Sequence, residues 1–216
     1  MIEAKLLVGR FLTITPTPSR AVTGNPPAFI NVVCPPLQIQ ESHRKVWHKS
    51  GIRESNVLAG TNPNKLHRNF KWLPWYKGDI SETDLTMDVL TGPMSGCILV
   101  SYLDVTGALK AGHIGTVDNA VPNHVNINNN VKAVWNAFAN LPASTVLGGF
   151  NPVANTVPAH PPAQPGDTWG QTWGLFTTNG LYYAVQVWQQ AGNANSYRIA
   201  AVHQVASLTQ VQLQNL

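Results

Sequence analysis

One stretch constrains this chain more than any other. Cys97-Ile-Leu-Val-Ser-Tyr-Leu103 is a near-continuous apolar run, then a polar turn at Asp104-Val-Thr-Gly107, then a second run from Ala108 to Val117. Runs of that length bounded by turn residues read as strands buried on both faces. Asp and Gly at the junction favour a tight reversal. The pair predicts a β-hairpin whose first strand is buried and central in its sheet.

The rest of the pattern agrees with a β-rich domain. Ala4 to Thr15 and Ala28 to Cys34 read as strands, each followed by prolines. Residues 40 to 70 read as loops with a short strand at Ser55 to Ala59. Asp84 to Leu90 reads as a short helix, capped by Ser81 or Thr83 and ended by Gly92-Pro93. Asn128 to Leu141 is the clearest helix. Its Val131, Val134, Trp135, Phe138 and Leu141 recur at three- and four-residue spacing, with an Asn cap near 129 or 130 and Pro142 as the stop. Residues 151 to 166 hold five prolines and read as an irregular loop or lid. Thr172 to Thr178, Leu181 to Gln189 and Tyr197 to Val205 read as antiparallel strands, with Asn179-Gly180 as a hairpin turn. The expected fold class is α+β: mostly a β-sandwich of mixed and antiparallel sheets, with a few outer helices and long loops, in one domain over 1–216.

Composition narrows the function. Hydrophobic residues make up 44% of the chain and charged residues only 11%, so a packed interior is expected and charge-driven disorder is not. The net charge is +4. Arg44, Lys45, Lys49, Arg53, Lys65, Arg68, Lys71 and Lys77 crowd one third of the chain. Such a patch could be a solvated face, or could bind nucleic acid, an acidic protein or a membrane surface, but no run carries a nucleic-acid signature, and no direct nucleic-acid contact is expected. No apolar stretch approaches a membrane span, and nothing at the N-terminus reads as a Sec signal. The two cysteines, Cys34 and Cys97, do not make a disulfide framework. No metal-ligand spacing, paired acids or phosphate-cradling Gly loop is present, so no cofactor or metal is expected.

The hairpin itself offers chemistry. Cys97 stands where a Ser95-Gly96 turn enters the first strand. A hairpin around 104–107 puts the partner of Cys97 at residues 112 to 116, and His113 falls inside that window. Opposed residues of neighbouring strands have β-carbons about 4.5–5.5 Å apart, within reach for an imidazole and a thiol. Gly112 and Gly115 are expected to keep space around the ring. A cysteine is a useful nucleophile only as thiolate and needs a basic neighbour, which His113 would supply.

These residues carry a family resemblance. Met94-Ser95-Gly96-Cys97 with the downstream Ala111-Gly112-His113-Ile114 strand resembles the toxin glutamine deamidases, the group that includes Burkholderia lethal factor and the catalytic domain of cytotoxic necrotizing factor. Their motif is Leu-Ser-Gly-Cys with a later histidine. Trp72-Leu73-Pro74-Trp75 looks like a corresponding stretch in the lethal factor, and Thr91 matches a threonine of its site. The likeness covers about residues 72 to 116. Met94 departs from the usual Leu, and the cysteine-to-histidine spacing of 16 is slightly longer than in the lethal factor.

The resemblance implies a Cys–His thioester mechanism converting a protein glutamine to glutamate. Cys97 would be the nucleophile and His113 the base. Gly96 and Cys97 amides would hold the oxyanion, and a Thr91 carbonyl would orient the imidazole. Trp72 and Trp75 would contact substrate. It also implies a monomeric bacterial effector, secreted or injected, acting in the host cytosol on a host protein. A translation-initiation helicase is the first such target and a Rho-family GTPase the second. Two other readings stand beside it. One is a different Cys–His acyl-transfer enzyme, a protease or transglutaminase. The other is a carbohydrate-binding β-module using Trp169, Trp173, Trp188, Tyr182 and Tyr183, whose aromatic faces could stack on sugars.

Overall fold

The computed structural model describes residues 2–16, 26–42, 54–153 and 157–216. The early strands are β1 (Phe11–Thr13), β2 (Phe29–Asn31), β3 (Pro36–Ser42), β4 (Glu54–Ala59) and β5 (Asn69–Leu73). Then come β6 (Ile80–Asp84), β7 (Asp88–Met94), β8 (Ile98–Leu103) and β9 (Leu109–Ile114). Helix α1 (His124–Ala139) leads to β10 (Thr145–Phe150), β11 (Asp167–Phe176), β12 (Tyr182–Gln190) and β13 (Asn193–Val205), and α2 (Gln210–Gln214) follows.

Eight strands close into a barrel in the order β1-β13-β12-β11-β7-β5-β3-β4, and five form a second sheet in the order β10-β8-β9-β6-β2. The expected β-rich α+β class holds. Two β layers do face one another, but one of them curls until β1 meets β4 in parallel register, so it has no free edge.

Three apolar clusters define the layers. Leu12, Ile39, Phe70, Trp72, Leu90, Trp173, Val185 and Ile199 fill the barrel. Val89, Cys97, Leu99, Ala111, Phe150, Phe176 and Ala184 lie between barrel and sheet. Ile80, Ile98, Val100, Tyr102 and Ile114 pack the sheet's other face against Val131 and Trp135 of α1. The period-two alternation of strands produces this division: neighbours along β8 and β9 point to opposite layers. Barrel and sheet can meet because β11 carries Gly174, where an added β-carbon would stand 2.0 Å from Leu99 Cδ1.

Several sequence expectations are corrected. Asp84 to Leu90 is not a helix. Asp84 ends β6 and Asp88 begins β7, with a short turn between. Ser81 therefore caps nothing, and its hydroxyl donates to the Pro74 carbonyl at 2.7 Å. Gly92-Pro93 lies inside β7, joined by a cis bond, rather than ending a helix. The segment from Ala4 opens in a 3-10 turn at Ile2–Lys5 before the short β1. Helix α1 starts earlier than its apolar periodicity suggests, after Asn123 in a left-handed conformation (φ 59°). Asn128 is a clamp instead of sitting just ahead of a cap: its side chain accepts from Val117 N at 2.7 Å and donates to Val117 O at 3.0 Å.

Candidate active site

The predicted hairpin forms. β8 pairs with β9 in antiparallel register, Ile98 opposite Ile114 and Leu99 opposite His113. His113 is also paired with Ser81 of β6, so its backbone is held from both sides. Cys97 immediately precedes β8, two residues before Leu99, and shares the barrel-facing side with Leu99 and His113. The two side chains are thus diagonal neighbours, not directly opposed. Diagonal positions lie about 7–8 Å apart along the backbone, still within reach of a ring.

The barrel supplies the third residue. Leu90 points into the barrel and Thr91 points out, toward the sheet. The Thr91 Oγ1 to His113 Nδ1 distance is 2.8 Å. The side-chain hydroxyl, not the main-chain carbonyl implied by the resemblance, makes this contact. All three residues are fully buried. His113 Nε2 has no hydrogen-bond partner among the described residues. An imidazole whose Nδ1–H is given to Thr91 presents Nε2 as an acceptor, the form a general base needs.

Cys97 is engaged elsewhere. Its thiol donates to the Thr116 carbonyl (3.6 Å) and accepts from the Thr116 hydroxyl (3.5 Å). Burial pushes the Cys97 thiol up to about 11, while hydrogen bonds with the Thr116 side chain and with backbone groups of Thr116, Ser95 and Cys97 act the other way. Burial pushes the His113 imidazole down to about 3. At neutral pH the pair is a neutral thiol and a neutral imidazole, and the sulfur is covered.

The glycines have other duties than the expected one. Gly112 faces α1, where a β-carbon would stand 2.9 Å from Val100 Cγ2. At Gly115 it would stand 1.9 Å from the Tyr76 carbonyl oxygen. Gly115 thus lets the Tyr76–Asp79 turn dock, sealed by Gly78 N donating to Gly115 O at 2.7 Å and Gly115 N to Asp79 O at 2.9 Å. Neither opens space beside the imidazole.

A cleft of about 490 Å³ runs past the covered sulfur, lined by Ser95, Gly96, Thr116, Asp118, Asn128 and Lys132 among others. Thr116 belongs both to the cleft wall and to the contacts that hold Cys97. Asn128 pins its neighbour Val117 and so fixes it in place. Neither Thr116 nor Asn128 was singled out from sequence. Thr116 is three residues beyond His113, and only the register of the hairpin reveals that it meets Cys97.

The tryptophans divide. Trp72 is buried in the barrel, edge-to-face with Trp173 at 5.2 Å between ring centres. Trp75 packs against the layer containing Cys97 and lies under Lys77, whose ammonium is 5.3 Å from the ring. The five aromatics grouped in the sugar-binding reading do not form one surface. Trp169 and Trp173 share the barrel mouth with Trp72 and Trp75. Trp188 stands edge-to-face on His160 of the proline-rich loop and donates to Pro161 O at 3.0 Å. Tyr182 is buried beneath the sheet, its hydroxyl 2.7 Å from that of Ser101.

In the basic segment, Arg44, Lys45, Lys49 and Arg53 lie outside the described residues. Arg68 pairs with Glu41 at 2.9 Å, and Lys71 donates to the Asp84 carbonyl at 2.8 Å. Both serve the fold where they stand. Among the described residues, no helix is long and apolar enough to cross a membrane. Comparison with known protein families, characterised proteins and solved structures finds no match.

Proposed function

We propose that the chain is a protein glutamine deamidase in which Cys97 is the nucleophile, His113 the general base and acid, and Thr91 the positioning residue. One observation carries this reading: a fully buried imidazole held at Nδ1 by Thr91, with Nε2 left unpaired on the face of the sheet that also bears the Cys97 thiol. A purely structural histidine would be expected to satisfy both nitrogens, since a buried polar atom without a partner costs about 1–3 kcal/mol.

The chemistry follows from these groups. A substrate entering along the Ser95–Gly96 cleft displaces the sulfur from Thr116 and brings it to His113. Nε2 takes the thiol proton, and the thiolate attacks the carboxamide carbon of glutamine. Backbone amides at Gly96 and Cys97 stabilise the oxyanion. The imidazolium returns its proton to the departing nitrogen, the C–N bond breaks and ammonia leaves. Water, deprotonated by His113, then cleaves the thioester, giving glutamate and the free thiol. The target gains a negative charge and loses two hydrogen-bond donors. The substrate is a host protein, met in the host cytosol by an effector that is secreted or injected. A translation-initiation helicase is the first candidate and a Rho-family GTPase the second.

The test is mass spectrometry of host-cell lysate treated with the native chain or with Cys97→Ser. One glutamine converted to glutamate, without chain cleavage and only by the native protein, supports the reading. Incorporation of an added primary amine at that glutamine would show acyl transfer to amines instead. Peptide-bond cleavage, or equal conversion by Cys97→Ser, would overturn deamidation by this pair.

A further inference from the structure

We propose that the mouth of the barrel binds a neutral sugar ring, at a site distinct from the Cys97–His113 pair. The ends of β5, β7, β11, β12 and β13, with Pro16 beyond β1, enclose a cavity of about 330 Å³. Its walls are Trp72, Trp75, Trp169, Trp173 and Tyr197, with the carboxamides of Gln171 and Gln189 between them. No charged side chain is among the described residues that line it. Barrel mouths are common ligand sites, and the lining chooses the ligand.

Two features separate this cavity from an ordinary apolar hollow. The indole N–H groups of Trp72 and Trp75 are buried without an acceptor among the described residues. An indole nitrogen only donates, so each lacks an oxygen, and Trp72 itself is 4% exposed. The walls are also fixed. Trp173 and Tyr197 rings stand edge-to-face at 4.8 Å, and Trp173 Nε1 donates to Gln171 Oε1 at 3.0 Å. Gln189 gives its Nε2–H to Ala194 O at 2.8 Å, which leaves its own carbonyl oxygen as an acceptor. At the rim, Trp169 is 56% exposed, a large aromatic face left in water at the entrance.

These properties select among ligand classes. An ion would leave water without a counter-charge. A purely apolar molecule would leave both indole donors unpaired. A peptide that binds by strand addition needs an open sheet edge, which a closed barrel does not offer. A pyranose presents C–H faces for the indoles and hydroxyls that both accept and donate, so it answers the unpaired N–H groups and Gln189 together. The cavity holds one ring, and Trp169 offers a platform for the next.

The full chain, native and as Cys97→Ser, is tested on an array of neutral glycans, and the tightest binder is titrated by calorimetry and by indole N–H resonances. The expected result is binding with shifts in the Trp72 and Trp75 N–H signals, identical for Cys97→Ser. Trp169→Ala weakens it at least about tenfold with unchanged melting. Trp75→Phe, which keeps an aromatic ring and removes the N–H, weakens it as well. Binding of no neutral glycan overturns the site. So does binding that survives both substitutions, or a preference for charged glycans over every neutral one. Because Cys97→Ser is an arm of the test, failure of the sugar site leaves the deamidase reading standing, and the reverse.

Discussion

The two faces of the five-stranded sheet are built from the same strands and differ in kind. Toward α1 stand Ile80, Ile98, Val100, Tyr102 and Ile114, and the Trp135 indole that lies among them donates to Leu213 O at 2.6 Å. Toward the barrel stand Cys97, Leu99 and His113, with Thr91 reaching across. On that side an imidazole nitrogen is left without a partner. On one face the Trp135 indole is matched by the Leu213 carbonyl inside an apolar layer; the other keeps a thiol and an imidazole in an apolar layer at some cost. Alternation along a strand lets one hairpin present both, because successive residues fall on opposite faces.

Substitutions on the two faces should therefore fail in different ways. Cys97→Ser should lower deamidation by at least about 10³-fold while leaving the melting temperature within a degree or two, read by mass spectrometry and calorimetry. Trp135→Ala should do the opposite. Loss of a fully buried indole costs about 3–5 kcal/mol, but turnover per folded molecule should not change. A large fall in turnover there, measured at a temperature where the variant is folded, would break the division between the faces.

The next effect is in pH. The His113 value of about 3 lies below its ordinary 6.5 because burial disfavours the charged form. The unfolded chain therefore binds the extra proton between those values. The stability gained from the neutral ring is complete above pH 6.5 and drains away toward pH 3, at up to about 1.4 kcal/mol per unit. His113→Gln should flatten that part of a denaturation-versus-pH curve. At the alkaline end, Cys97 stability is complete below pH 9 and is lost toward about 11, and Cys97→Ser should remove that limb.

Thr91→Val leaves Nδ1 of a buried ring unpaired. It should cost about 1–3 kcal/mol and slow turnover about tenfold to a hundredfold through a misplaced imidazole. Thr91→Ser should restore most of both. The smallest change is expected for Thr116→Val, which removes the hydroxyl on the sulfur and leaves the carbonyl. Turnover should move less than about tenfold, and alkylation of native and variant thiols should separate the two contacts.

What could be read from the sequence was local. The β8–β9 hairpin, α1 and the Asn179-Gly180 turn follow from apolar periodicity and turn chemistry within a few residues. β6 and β7 were missed because Ser81 or Thr83 as a cap and Gly92-Pro93 as a stop frame Asp84 to Leu90 like a helix, and only pairing with β9, β5 and β11 makes strands of them. Closure of the barrel depends on β1 meeting β4, with β2 and β3 between them in the chain, which no local pattern encodes. At the site, residues 97 and 113 came from hairpin arithmetic. The same arithmetic spans 112 to 116 without choosing Thr116, whose contact with Cys97 needs the exact register, and the Thr91 hydroxyl was beyond it because its contact depends on how barrel and sheet stack.

The cover over Cys97 bears on how such a protein would keep between synthesis and use. Its other thiol, Cys34, is also buried, so neither sulfur stands ready for peroxide or a stray disulfide. On the reading proposed above, of an effector that leaves one cell to act in another, the oxidising space between them is where an open nucleophile would be spoiled. Thr116 would then serve as a seal on the reagent, broken by the substrate and not by the journey.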